Sequence, residues 1–430
     1  MRRSAGLWLA CALAATPALA QEPAPPVLLK DATVLVVDGA ALPRASVLVR
    51  DGKIAAVGPD VAAPAGARVI DCKGRFVMPG IIDVHSHMGV YSWPAVPANS
   101  DGNEATAPVT AEVRAEDSVN AEDPAFAKAR AGGVTTVQVL PGSANLIGGE
   151  AVILKLRPTG TLEGLRFAGA PRGLKMALGE NPKRVYGGRS QSPSTRMGNA
   201  AVLRAAYQKA REYTAKWERH AAQKAAFDRK VAAGEKHPAD APPPPDRDLQ
   251  LETLAAVLRG EVRLHVHCYE VHDLEFLFRL VDEFGLKHIT VHHALETYKV
   301  ADELARRGMG ATTWVDWWGF KVEAWDGIPY ALPILFRKGV LASIHSDSSR
   351  EVQWLYHNAA KAVRYGLAEA DALRAITLNP ATQLGVADRV GSVTVGKDAD
   401  LAVFSTHPFD MYTRVDLTLI DGAVAYERGR

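Results

Sequence analysis

Cysteine is scarce in this chain, with 3 among 430 residues, and that excludes a scaffold stapled by disulfides. A surplus of charge is equally absent, since 50 Lys and Arg face 48 Asp and Glu. So even a balance leaves no broad field to gather phosphate backbones or anionic lipid, and no nucleic-acid partner is expected. Nowhere do 18 apolar residues run uninterrupted, so no membrane span is expected either. The Gly period of collagen and the composition of a coiled coil are both missing. What is present is 47% hydrophobic residues over a length that suits one barrel of about 250 residues with a smaller partner, or two or three small domains.

Residues 1–20 carry Arg2 and Arg3, an apolar stretch over 7–15, and Ala18-Leu19-Ala20 before Gln21. This is the three-part layout of a secretory signal peptide, which predicts a periplasmic or secreted protein. Removing it takes away the two surplus cations and leaves 48 basic residues against 48 acidic ones. It also leaves only Cys72 and Cys268, which an oxidising compartment would allow to pair, although Cys268 reads equally well as a buried thiol.

Residues 21–79 read as short strands punctuated by Asp38-Gly39, Asp51-Gly52 and Lys73-Gly74, and residues 386–430 repeat the style. Neither end has enough strands to bury its own face, so one small composite β-sandwich built from both chain ends is expected. Residues 80–385 alternate apolar strands with amphipathic helices. The strands fall at 81–85, 135–140, 174–178, 264–267, 289–293, 310–314 and 341–344. That alternation predicts an α/β fold, a (β/α)8 TIM-like barrel. Residues 196–247 interrupt it with a charged, Ala-rich stretch ending in four prolines, read as an inserted helical hairpin with a stiff linker.

Six of the 13 histidines sit at or just beyond strand C-terminal ends: His85, His87, His267, His292, His293 and His345. In a barrel those ends build the site. His85 and His87 are two apart on one strand and therefore project to the same side, within reach of one ion. Four His-bearing strand ends together with Asp347 form a donor set that a borderline metal such as Zn accepts.

The segment Pro79-Gly80-Ile81-Ile82-Asp83-Val84-His85-Ser86-His87 resembles the first metal motif of the amidohydrolase superfamily. So do Asn379-Pro380-Ala381-Thr382 and Gly396-Lys397-Asp398-Ala399-Asp400-Leu401, which look like that family's passage out of its barrel. The branch grouped with imidazolonepropionases and Xaa-Pro dipeptidases is the most similar. The resemblance implies His85, His87, His267, His293 and Asp347 as ligands of one or two divalent ions, with His292 as the alternative to His293. It implies Lys175 as a sixth, bridging two ions as a carboxylated lysine, with Lys155 as a rival. It implies Asp347 as general base. Glu270 stands as a proton shuttle or a holder of a substrate amine, with a solvated loop residue as the alternative. Trp314, Trp317, Trp318 and Trp325 form a loop cluster or the apolar wall of a pocket.

These readings converge on an exported amidohydrolase that cleaves a C–N bond in an amide, a cyclic amide or a dipeptide. A one-metal deaminase of a heterocycle and a non-catalytic exported binding module are the alternatives. A small-molecule or dipeptide substrate is expected, and assembly into a homo-oligomer is compatible with the sequence.

Overall fold

A computed structural model describes residues 25–317 and 319–429. The proposed signal peptide and Trp318 lie outside the described residues. The N-terminal strands are β1 (Val27–Val34), β2 (Leu42–Arg50), β3 (Lys53–Gly58), β4 (Arg68–Asp71) and β5 (Phe76–Pro79). The middle of the chain forms β6 (Ile81–Ser86), β7 (Val134–Val139), β8 (Ile147–Lys155), β9 (Arg172–Ala177), β10 (Val262–Cys268), β11 (Ile289–His293), β12 (Gly310–Thr313) and β13 (Ala342–Ile344). The chain ends with β14 (Leu401–Phe404), β15 (Val415–Ile420) and β16 (Ala423–Glu427).

Strands β6 to β13 pair side by side in chain order as a nearly closed eight-stranded barrel sheet. Every residue of β6 and β7 is buried, as expected where side chains fill the lumen on one face and meet helices on the other. Gly80 at the entrance to β6 is obligatory, because a Cβ there would lie 2.2 Å from the Thr135 side chain. The gap between β6 and β13 is closed by side chains. Ser346 donates from its backbone N to Asp83 Oδ1 at 3.2 Å and from Oγ to Asp83 Oδ2 at 2.5 Å.

One strand departs from the strand-helix alternation. β8 is antiparallel to both β7 and β9, pairing Val139 with Val152 and Ile147 with Met176. Its reversed course carries Lys155 to the end of the barrel opposite His85.

The two chain ends do meet, but their pairing makes one hydrogen-bonded eight-stranded sheet, in the order β16-β15-β14-β5-β1-β2-β3 with β4 beside β1. The strands of the two chain ends thus share one sheet of mixed polarity with a hydrophobic core of its own. Its joint to the barrel is polar. Lys155 Nζ donates to Asp398 Oδ2 at 2.7 Å, to Asp400 Oδ1 at 3.1 Å and to Asp421 Oδ1 at 2.5 Å.

The family-like Asn379-Pro380-Ala381-Thr382 segment lies in a short helix, Leu378–Leu384, under the barrel floor. Asn379 Nδ2 donates to the Ala342 carbonyl at 2.7 Å. Gln383 Nε2 donates to those of Ala311 and Leu341, both at 2.9 Å. These bonds dock the helix on the carbonyls of β12 and of the entrance to β13.

The insert is one helix, Arg196–Ala232, and not the expected hairpin of two. Neither Gly nor Pro falls between Asn199 and Ala233, so nothing breaks the helix before Gly234, and the proline tract then returns without regular structure. Its buried stripe of Asn199, Leu203, Ala206, Tyr207 and Ala210 seats only the first half. Tyr207 donates to Met176 Sδ at 3.2 Å, fixing the helix to β9. Cys72 and Cys268 are both buried and unpaired. Among the described residues no helix is long and apolar enough to cross a membrane.

Candidate active site

Strand polarity concentrates the chemistry at one end of the barrel. His85 lies at the end of β6 and His87 just beyond it, Lys175 lies in β9, His267 in β10 and His293 ends β11, while Asp347 follows β13. All six are brought together. His85 Nε2 stands 3.3 Å from His87 Nε2, 3.3 Å from Lys175 Nζ and 3.5 Å from Asp347 Oδ1. Asp347 Oδ1 is 3.2 Å from His87 Nε2, and its Oδ2 is 3.9 Å from His293 Nδ1. The His267 and His293 rings are 4.5 Å apart between centroids. Two donor triplets emerge from this packing: His85, His87 and Asp347, and His85, His293 and His345.

Burial governs the protonation of the group. It pushes His85, His267, His292 and His293 well below the usual imidazole range and His345 down to about 4, so these rings are neutral and carry a lone pair. Burial also brings Lys175 down to about 8, with only Asp347 pulling the other way. For Asp347 burial acts upward, but the hydrogen bond to His87 and the nearby charges outweigh it and hold the carboxyl below its ordinary value. Asp83 is pushed up to about 7 by burial, against the bonds it accepts from Ser346 and the His85 N–H.

Backbone strain gathers here as well. His293, Ala294 and Asp347 have φ of +68°, +50° and +52°. A β-strand that ended normally would carry these side chains past the site, so the left-handed turn after each strand is what aims them inward. Asp347 is held in that turn by the Ser346 anchor on Asp83 and by its own N–H donating to the His85 carbonyl at 3.1 Å. Trp314 Nε1 adds a bond to the Ser346 carbonyl at 3.2 Å.

The donor set suits a divalent cation on two counts. Neutral imidazoles, a carboxylate and a desolvated amine converge without a fixed cation to neutralise them. In addition, His267 Nδ1 is buried without any hydrogen-bond partner, an expensive state that a ligated metal would relieve.

Other expected residues go elsewhere. Lys155, the rival to Lys175, is excluded: it lies at the opposite end of the barrel with three carboxylates. Burial lowers its affinity for a proton, but Asp400, Asp421 and Asp398 together raise it above the ordinary lysine value, so no free amine is available there. Glu270 is turned to Arg196, which also contacts Asp273 at 3.1 Å and Glu323 at 3.2 Å. This cluster ties the first turn of the long helix to the loops after β10 and β12.

Of the tryptophans, Trp314 stacks on His293 with centroids 4.6 Å apart, and Trp317 meets Trp314 edge-on at 4.5 Å while remaining 46% exposed. Trp325 is exposed. Tyr269, which the sequence reading passed over, stacks on His293 at 5.0 Å. So was His265, although His265-x-His267 repeats the two-residue spacing of His85 and His87 and is a signal of the same kind.

Comparison with known proteins agrees with this arrangement. Residues 76–425 match the amidohydrolase family. The amidohydrolase tasK of Hapsidospora irregularis is 34% identical over 399 residues, covering 89% of this chain and 40% of its own, so the chain spans about two fifths of that relative's length. The imidazolonepropionase of Klebsiella pneumoniae is 34% identical over 116 residues, 24% of this chain and 28% of the relative. The crystal structure of an amidohydrolase from Thermotoga maritima MSB8 superposes with a TM-score of 0.83 at 37% identity, covering 94% of this chain and all of that one.

Proposed function

The chain belongs to the amidohydrolase family, and from that premise we propose that it is a hydrolase acting on C–N bonds, an exported, zinc-dependent enzyme cleaving a dipeptide or a related small amide. One observation carries the reading: six residues from five strands, His85, His87, Lys175, His267, His293 and Asp347, converge at one end of the barrel, and His267 among them has a buried Nδ1 without a hydrogen-bond partner. These six would hold one or two divalent ions. When bound, such ions supply Lewis acidity, which makes a water nucleophilic near neutral pH and polarises the scissile carbonyl.

The remaining steps belong to the chain. Asp347 is the carboxylate of the group, with 21% of its side chain reachable from solvent. Ionised at all working pH values, it accepts the proton of the attacking water and returns it to the leaving nitrogen. Its left-handed backbone and the Asp83–Ser346 anchor keep Oδ1 and Oδ2 aimed at that task. Lys175, desolvated and lacking a carboxylate within bonding distance, is the amine able to take up CO2 and become a carbamate. Trp317 lines the approach, which favours substrates with an apolar group beside the scissile amide.

Lys175→Met is expected to lower the bound metal from two ions to at most one, read by elemental analysis of the purified protein. Trp317→Ala is expected to raise KM about 2- to 10-fold with kcat unchanged, as for loss of one aromatic contact.

The reading as a whole is tested by metal analysis alongside assays on a panel of dipeptides and amides. Metal-loaded protein that hydrolyses a dipeptide supports it. Metal-loaded protein that deaminates a heterocycle with one ion and leaves the panel intact overturns it in favour of a deaminase. Export is tested by the amino terminus of the protein recovered from cells, expected at Gln21.

A further inference from the structure

His85 is the hub of the candidate site, and behind it a file of polar side chains runs into the barrel core. His85 Nδ1 lies 2.7 Å from His292 Nδ1. His292 Nε2 lies 2.9 Å from His265 Nδ1, and His265 Nε2 lies 3.0 Å from Gln138 Nε2, the position its Oε1 takes when the amide is turned over. All four side chains are buried, at positions that apolar residues would fill without loss of hydration. Three polar groups that reach no solvent and whose partners are one another call for a reason.

Proton bookkeeping supplies one. A neutral imidazole carries a single proton on one nitrogen and a lone pair on the other, so in a file of rings the first proton dictates all the rest. With the His85 proton on Nε2, that nitrogen points an N–H at Lys175 and Asp347 and offers no lone pair. With the proton on Nδ1, His85 donates to His292 Nδ1, His292 donates from Nε2 to His265 Nδ1, and His265 donates from Nε2 to Gln138. The second arrangement must end on an acceptor. Gln138 has one to spare, since its Oε1 has no partner, and the oxygen and nitrogen of an amide exchange places by rotation about the last torsion.

We propose that Gln138, His265 and His292 are positioning residues that keep the His85 proton on Nδ1, so that Nε2 presents a lone pair to a divalent cation. The inference rests on the metal-dependent reading of the site. It assigns the three residues no contact with substrate. Their effect is on how readily His85 becomes a ligand, and partners of this kind are typically worth 10- to 100-fold in metal affinity.

The test is Co2+ titration of the metal-stripped full-length protein, followed by its visible absorption and by competition with a chelator. His292→Leu removes the acceptor and is expected to weaken Co2+ binding about 10- to 100-fold. His292→Asn places an amide oxygen where Nδ1 stood and is expected to bind within about fivefold of the unaltered protein, because the tautomer is held locally. Should His292→Leu fail to fold, Gln138→Leu, at the far end of the file, gives the same reading: weaker Co2+ binding supports the relay. Folded His292→Leu or Gln138→Leu protein that binds Co2+ as tightly as the unaltered chain overturns it, as does an Asn variant no better than Leu. If the unaltered chain takes up Co2+ and the variants match it, the relay alone falls. If the unaltered chain takes up none, the metal reading falls with it.

Discussion

Asp347→Asn is expected to lower kcat by about 10²- to 10⁴-fold, the range lost with a positioned general base. The substitution isolates chemistry from architecture for two reasons. Asn has the shape of Asp and tolerates the left-handed region better than most residues, so the +52° φ at this position is kept. The anchors on the preceding turn, from Ser346 to Asp83 and from Trp314 to the Ser346 carbonyl, do not involve the 347 side chain and persist. What the amide lacks is the ability to accept and return a proton. Asp347→Ala is expected to show the same loss of turnover with an added loss of order in the loop, since Ala has no such preference for positive φ. Steady-state kinetics on the metal-loaded variant, with a thermal melt as control, decide the matter. Turnover by the Asn variant within a few fold of the unaltered enzyme would remove Asp347 from the reaction.

Much of this site is legible in the sequence because its residues end apolar runs. His85, His87, His267 and His293 each follow several buried strand residues, and the position of a polar residue at a strand end survives folding unchanged. What could not be read depends on partners distant along the chain. Lys155 and Lys175 are each a single lysine in an apolar run, and composition does not separate them. Strand direction does, because β8 runs against its neighbours and delivers Lys155 to the opposite end of the barrel. Glu270 reads as a free carboxylate until Arg196, 74 residues earlier, is folded against it. His265 looks like an ordinary buried residue until β7 and β11 place Gln138 and His292 on either side of its ring. The insert departs from the expected hairpin for a local reason: a proline tract terminates a helix but does not say whether another precedes it, and the Ala-rich stretch over 199–233, free of Gly and Pro, is enough for one. At the chain ends, alternation located strands but not their order, and only hydrogen-bond pairing reveals that both ends share one sheet.

Lys155→Met is expected to destabilise the protein by about 3–5 kcal/mol, the usual cost of leaving buried charge without its partner. Lys155 is fully buried on barrel strand β8, and its carboxylate partners Asp398, Asp400 and Asp421 belong to the C-terminal part of the chain, so one ammonium group joins the barrel to the terminal sheet. The three acids are not equally exposed to its loss. Asp398 keeps Lys53 at 2.5 Å and Arg389 at 2.9 Å, and Asp421 keeps Arg157 at 2.7 Å. Among the described residues Asp400 keeps no other cation within ion-pairing distance, and its Oδ2 is already without a partner. The cost should therefore depend on pH, with a sign that follows from Asp400. In the intact protein burial raises this carboxyl to about 6 from 3.8, so the folded state binds its proton more readily than the unfolded state, and ionisation of Asp400 erodes stability as pH rises through that window. Without Lys155 the folded value moves higher still, and the window of erosion extends into the neutral range. The deficit of Lys155→Met relative to the unaltered protein should accordingly be larger at pH 8 than at pH 5, and adding Asp400→Asn should recover part of it at pH 8. Urea midpoints at the two pH values measure both effects. A deficit that is equal at pH 8 and pH 5, or that Asp400→Asn leaves untouched, would show that the joint holds by packing and that the ammonium group is incidental to it.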